Sequence, residues 1–156
     1  EGTNTIQSLD LLGRKVLGNN GDTLKKFGKL VTALVVEEGV NEKMAEFINP
    51  LAVLGEQITK FTMEIGFKGL QNPDEVGAAA VDNLRVAGHL VFGYFWARMA
   101  QVALQKIAEG NTDPFYVAKL QTARFYFAKL FPETATLMRT ARAGSKVLMD
   151  TDLALA

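Results

Sequence analysis

The sequence predicts an all-α protein: an antiparallel four-helix bundle preceded by a short helix. Three observations carry that reading. No alternating run of β-branched residues is bounded by a hairpin turn. Capping residues and glycine or proline stops recur at helical intervals. The stretches between them are long and their connections short, which makes antiparallel neighbours the default.

The elements follow in order. The opening stretch, EGTNTIQSLDLLGRK, supplies a short helix from about Thr5 to Leu17, with Asn4 as its cap and Gln7 at capping-box spacing. Gly18-Asn19-Asn20-Gly21 is a turn. Asp22 caps a helix running to Glu38, and Gly39 ends it. Asn41 caps the next, which runs to about Leu70. Pro50 lacks an N–H donor and is expected to kink or break that helix near Phe47. Asn72-Pro73-Asp74-Glu75 is the cleanest start: an amide cap, a proline at the first helical position, and a carboxylate at the third to reach back. That helix runs to Glu109, with Gly110 as its stop. Asp113-Pro114 repeats the device, and the last helix runs to about Ala143, interrupted at Phe131-Pro132.

Two of these helices carry a readable pattern. In the helix from 74 to 109, Asp82, Arg85 and His89 share one face, and Arg98, Gln101, Gln105 and Glu109 share another. Between them, Leu90 to Ala97 is apolar nearly all round, so the middle is expected to be enclosed. Gly77, Ala80, Gly88, Gly93, Ala97 and Ala100 would admit close backbone approach. In the last helix a single stripe runs through Tyr116, Leu120, Ala123, Phe127 and Leu130.

Composition narrows the function classes. The 156 residues suffice for one cored domain, and apolar (48%) and charged (22%) contents are those of an ordinary globular chain. Net charge is zero, which argues against a general nucleic-acid partner. No cysteine is present, which excludes disulfides and thiolate metal sites and fits a reducing compartment, hence a cytoplasmic expectation. Residues 76–97 are mostly apolar, but Asp82, Arg85 and His89 interrupt them, so no membrane span is expected.

Catalytic constellations are sparse. Phosphate loops, dinucleotide fingerprints, nucleophile elbows and metalloprotease motifs are missing. The Glu-x-x-His pairs of metal-binding bundles are also missing, and no metal site is expected. His89 reads as a histidine that hydrogen-bonds locally on a partly buried face, rather than as a proton shuttle. Tyr94, Phe95, Trp96, Tyr116, Phe125, Tyr126, Phe127 and Phe131 read as core and interface packing rather than a flat cofactor pocket. Arg124, Arg139, Arg142 and Lys146 read as a solvated basic face. The remaining chemistry is at the opening. A helix start offers unpaired N–H groups to a phosphate, Gly2 permits close approach, and Glu1 places a carboxylate beside them.

Glu1, Gly2, Thr3, Ile6 and Gln7 resemble the Tyr-Glu-Gly-Thr-x-x-Ile-Gln segment of the flavin-dependent acyl-CoA dehydrogenases. GYFWARMAQVAL and KLQTARFYFAKLFPETATLMRTARAG resemble the extra C-terminal helical domain of one branch of that family, the branch that includes the methylmercaptopropionyl-CoA dehydrogenases. The resemblance implies that Glu1 is the catalytic base, that Thr3, Asn4 and Thr5 contact FAD, and that Gly2 adjoins the substrate. It implies an acyl-CoA substrate, an electron-accepting flavoprotein partner and a homo-oligomer. Many members carry an acidic or amide residue where Thr5 stands. The segment 1–17 is then expected to close a catalytic helical domain, with 22–148 an appended four-helix bundle. On its own, the 156-residue chain is expected to hold no FAD and to be inactive. The alternative from another class is a non-enzymatic helical module for oligomerisation or docking.

Overall fold

A computed structural model describes residues 3–19 and 21–150. It is all-α, with no strand among the described residues. Helix α1 (Asn4–Leu9) continues into a π-helical segment, Asp10–Val16, and a 3-10 turn, Leu17–Asn19. Next come α2 (Asp22–Glu38), a 3-10 turn (Glu42–Met44), α3 (Ala45–Gln71) and α4 (Asp74–Ala108). Helix α5 (Pro114–Phe125) runs into a second π-helical segment, Tyr126–Leu130. Then follow α6 (Glu133–Ala141) and a short α7 (Lys146–Met149).

Most of the punctuation read from the sequence is present. Asn41 accepts a hydrogen bond from the Lys43 N–H at 3.2 Å, Asn72 from Asp74 at 3.1 Å, and Asp113 from Phe115 at 2.9 Å. Each ties down a donor that a helix start leaves unpaired. Gly110 follows α4 with a φ of 82°, a left-handed value that favours glycine. The last helix is interrupted at Phe131-Pro132.

Four expectations about the helices change. Asp22 is the first residue of α2 rather than its cap, and the Lys25 N–H bonds to the Gly21 carbonyl. Pro50 does not break α3; the donor it lacks would have met the Glu46 carbonyl in the first turn, where few bonds are yet at stake. Glu75 does not reach back to its own helix start, because Ser145 takes its carboxylate. The apolar stripe of α5 does not continue to Leu130, which is 46% exposed, while Phe131 is 4% exposed. The Phe131 N–H bonds to the Tyr126 carbonyl, five residues back, so the π turn adds one residue and moves the stripe by one.

The described residues fall into two compact units. One comprises those of 27–57 and 88–133. Here α4 and the α5–π segment run antiparallel, with Lys119 over the Trp96 ring and Tyr126 bonded to His89. Helices α2 and α4 run parallel: Phe27 meets Tyr94 edge-on, and Glu37 meets Arg98. Phe47 of α3 packs edge-on against Phe127 with ring centroids 5.5 Å apart. Segments of α2, α3, α4 and the α5–π stretch thus meet within this unit, which is consistent with a four-helix bundle. At Gly93 a Cβ would fall 2.6 Å from the Phe131 ring, so only glycine fits without movement. Ala97 and Ala100 are buried beside it, whereas a Cβ on Gly88 would meet nothing within 4 Å. Nor is the middle of α4 enclosed. Leu90, Gly93 and Ala97 are buried, but Phe92 and Phe95 are 59% and 54% exposed. An all-round apolar pattern does not say which side the chain itself covers.

The other unit comprises the described residues of 1–26, 58–87 and 134–156. Its core includes Leu12, Phe61, Ile65, Val86 and Leu137. Arg142 of this unit bonds the Glu64 carboxylate at 2.7 Å and lies over the Phe61 ring. Thr140 donates to Asp82 at 2.7 Å. Glu75 accepts from both the N–H and the hydroxyl of Ser145, at 2.9 and 2.6 Å, and the Asn72 amide donates to that same hydroxyl oxygen. Leu12 and Val16 bury their side chains in this unit, so the opening helix is packed and not a free arm.

Candidate functional site

Glu1 and Gly2 lie outside the described residues. The remaining opening residues are described. Thr3, not Asn4, occupies the N-cap position, and the Gln7 N–H bonds to the Thr3 carbonyl at 2.9 Å. Thr3 has helical dihedrals (φ −86°, ψ −14°), so the helix begins one residue earlier than its polar spacing implied. The Thr3 side chain makes no capping bond, and Thr3, Asn4 and Thr5 are all exposed. Ser8 is fully buried and donates to the Thr5 carbonyl at 2.7 Å, which anchors the first turn from below. Asp10 pairs with Arg14 and Lys15; the Arg14 hydrogen bond holds the Asp10 carboxyl below its usual range. The arrangement presents two hydroxyls and an amide at the start of a helix, backed by a fixed turn.

A second polar cluster lies in the unit of 27–57 and 88–133. His89 Nδ1 is 2.9 Å from the Tyr126 hydroxyl, and Nε2 is 3.1 Å from a Glu133 carboxylate oxygen. An ionised carboxylate can only accept, so Nε2 carries the hydrogen. In the neutral ring Nδ1 then accepts from the Tyr126 O–H. Burial pushes the Tyr126 phenol up to about 12, so it stays a donor across ordinary pH. Trp96 stacks on Tyr126 with centroids 6.2 Å apart, and Phe131 lies edge-on to His89. The partners of His89 stand 37 and 44 residues away, which corrects the expectation of a local hydrogen bond. Sequence spacing carries no signal for them; Tyr126 opens the second π segment and Glu133 opens α6.

Tyr126, Phe127 and Phe131 are core residues, while Phe95 and Phe125 are more than half exposed. The basic residues are exposed: Arg124 pairs with Glu46, Arg142 with Glu64 and Lys146 with Asp150. Among the described residues no group of three or more His, Asp or Glu side chains could hold a metal ion. No described helix is long and apolar enough to cross a membrane.

An all-helical chain with a polar helix start at Thr3–Thr5 is the class these elements define. Residues 15–152 match the family described as acetyl-CoA dehydrogenase C-terminal like, and the chain belongs to that family. It is 28% identical over 157 residues to 3-methylmercaptopropionyl-CoA dehydrogenase of Ruegeria pomeroyi, an alignment covering 95% of this chain and 26% of that protein. It is 26% identical over 157 residues to a butyryl-CoA dehydrogenase of Syntrophomonas wolfei, covering 96% of this chain and 25% of that protein. The chain thus spans about a quarter of the length of the curated relatives it matches. The resemblance read from the sequence to the C-terminal part of this family is borne out.

Proposed function

We propose that the chain is the C-terminal portion of an FAD-dependent acyl-CoA dehydrogenase that forms an α,β double bond in an acyl-CoA thioester. The observation that carries this reading is an order of parts. A Glu-Gly-Thr-x-x-Ile-Gln segment leads into a helix, and the family match begins just behind it, at residue 15. The two dehydrogenase names among the relatives support the same reading. Residues 1–17 then close the catalytic helical domain, and 22–148 form the appended bundle. Acyl-CoA, an electron-accepting flavoprotein, a homo-oligomer and a cytoplasmic setting belong to this proposal.

The residues fit the cofactor. Thr3, Asn4 and Thr5 are exposed donors at a helix start, the chemistry that suits phosphate or flavin oxygens. They would hold FAD, and Gly2 would let the chain approach the substrate closely. FAD held there would supply the acceptor for the hydride that leaves the β-carbon. Glu1 takes the α-proton. A carboxylate is a weak base for that carbon, so two effects must help it. A dry site raises its proton affinity. Hydrogen bonds to the thioester oxygen would stabilise the developing enolate.

The 156 residues alone are expected to hold no flavin and to turn over no acyl-CoA. In the longer protein, changing the residue at the Glu1 position to Gln is expected to lower turnover by roughly 10²–10⁴-fold while flavin stays bound. Unchanged turnover would overturn the assignment. A second reading, a helical oligomerisation or docking module, is favoured by the exposed Phe92 and Phe95 of α4. A monomer by light scattering, unchanged by Phe95→Ser, would count against it.

A further inference from the structure

In the unit of 27–57 and 88–133, helix α4 is apolar on two opposite sides. Leu90, Gly93, Ala97 and Ala100 are buried on one side. On the other, Gly88, Phe92, Phe95, Met99 and Val102 recur at alternating intervals of four and three residues. Phe92, Phe95 and Val102 are exposed, Met99 is half-buried, and Gly88 leaves its own surroundings open. Alternating steps of four and three are the spacing of a coiled-coil seam, so the surface that fits this stripe is another helix. The ends of the stripe say which helix. In the same register Arg85 precedes it, and Lys106 and Glu109 follow it. A parallel copy of α4 would set each of these charges against its like. An antiparallel copy, turned about a two-fold axis at the level of residue 97, sets Phe92 opposite the partner's Val102 and Phe95 opposite the partner's Met99. It also sets Lys106 opposite the partner's Gly88, whose missing side chain leaves room for the lysine stem. Arg85 then meets the partner's Glu109, so unlike charges face each other at both ends. On the flank, Arg98 is already matched by Glu37 of its own chain.

We infer that the exposed face of α4 is a self-complementary seam that pairs with the same face of a second copy of this chain, antiparallel and in that register. The spacing selects a helix as the occupant, and the order of charges and side-chain sizes selects the reversed copy. The inference rests on the oligomerisation reading given above and deepens it by naming the partner, the orientation and the facing residues.

The chain has no cysteine, so introduced thiols report the register. Phe92→Cys and Val102→Cys each change an exposed side chain. Oxidising an equimolar mixture of the two variants is expected to give a disulfide-linked dimer. Either variant alone is expected to give none, because like positions of the two copies lie about 15 Å apart along the seam, beyond the reach of a disulfide. Sedimentation velocity of the 156-residue chain, from about 5 to about 500 μM, is expected to show monomer passing into dimer, as a pairing of this small size requires. Phe95→Lys buries a charge at the seam and is expected to weaken that dimer at least about tenfold. Its Tm under dilute, monomeric conditions is expected to stay unchanged, because Phe95 is exposed within one chain. A link in either cysteine variant alone, no link in a mixture that dimerises, or a Phe95→Lys dimer of unchanged strength would each overturn the seam and leave the oligomerisation reading standing. A monomer throughout the concentration range would overturn both.

Discussion

The two π-helical segments solve the same geometric problem in opposite ways. Each widens a helix by one residue per turn, and each must do something with the extra space. Along Asp10–Val16 the space is left open at Gly13, and a hollow lies beside it. Along Tyr126–Leu130 it is filled: Tyr126 and Phe127 are buried, and the Tyr126 hydroxyl is held by His89. The widening is therefore neutral in itself, and side chains decide whether it becomes a void or a packed joint. A glycine leaves room for something to enter; aromatics with a polar pin close it.

The contrast can be broken at several strengths. The largest effect is expected from Phe131→Ala. Its ring is 4% exposed and lies 5.0 Å from Phe127, so urea unfolding should show a loss of about 3–5 kcal/mol. Next is Tyr126→Phe, which keeps the ring and leaves His89 Nδ1 without its donor; about 1–2 kcal/mol should be lost. The same change in a Glu133→Gln background should not simply add, because one imidazole joins both groups. Leu130→Ala sharpens the register. If the stripe ran straight this leucine would be core, but at 46% exposure it should cost under about 1 kcal/mol.

The smallest effect is expected in acid. Arg142 holds the Glu64 carboxyl below its ordinary 4.5, and the Ser145 hydrogen bonds do the same for Glu75. A carboxyl depressed in the folded state stabilises above its unfolded pKa and loses that contribution as pH falls through the folded value. Unfolding followed below pH 4.5 should therefore show a shallower acid limb in Glu75→Gln than in the parent.

What was legible in the sequence was local. Asn41, Asn72 and Asp113 announce helix starts because a short polar side chain reaches donors two residues ahead, and Pro132 announces an interruption. The π turns were illegible, since a five-residue hydrogen bond leaves no composition of its own and shows only as a shifted stripe. The partners of Glu75 and His89 were illegible because they lie 70 and 37 residues away in the chain. The exposed Phe92 and Phe95 were misread because an apolar run reports hydrophobicity and not coverage. Of the candidate site, Thr3, Asn4 and Thr5 do stand at a helix start, with Thr3 at the cap, and Glu1 and Gly2 remain proposals.

The Phe131-to-Tyr126 bond has a consequence for comparing lengths among kin. Excise a single residue from 126–130 and the ordinary winding returns, with the downstream periodicity of the interior undisturbed. Homologues that are one residue shorter at this spot would therefore keep the same inward-facing set, and a lone gap there would mark geometry instead of divergence.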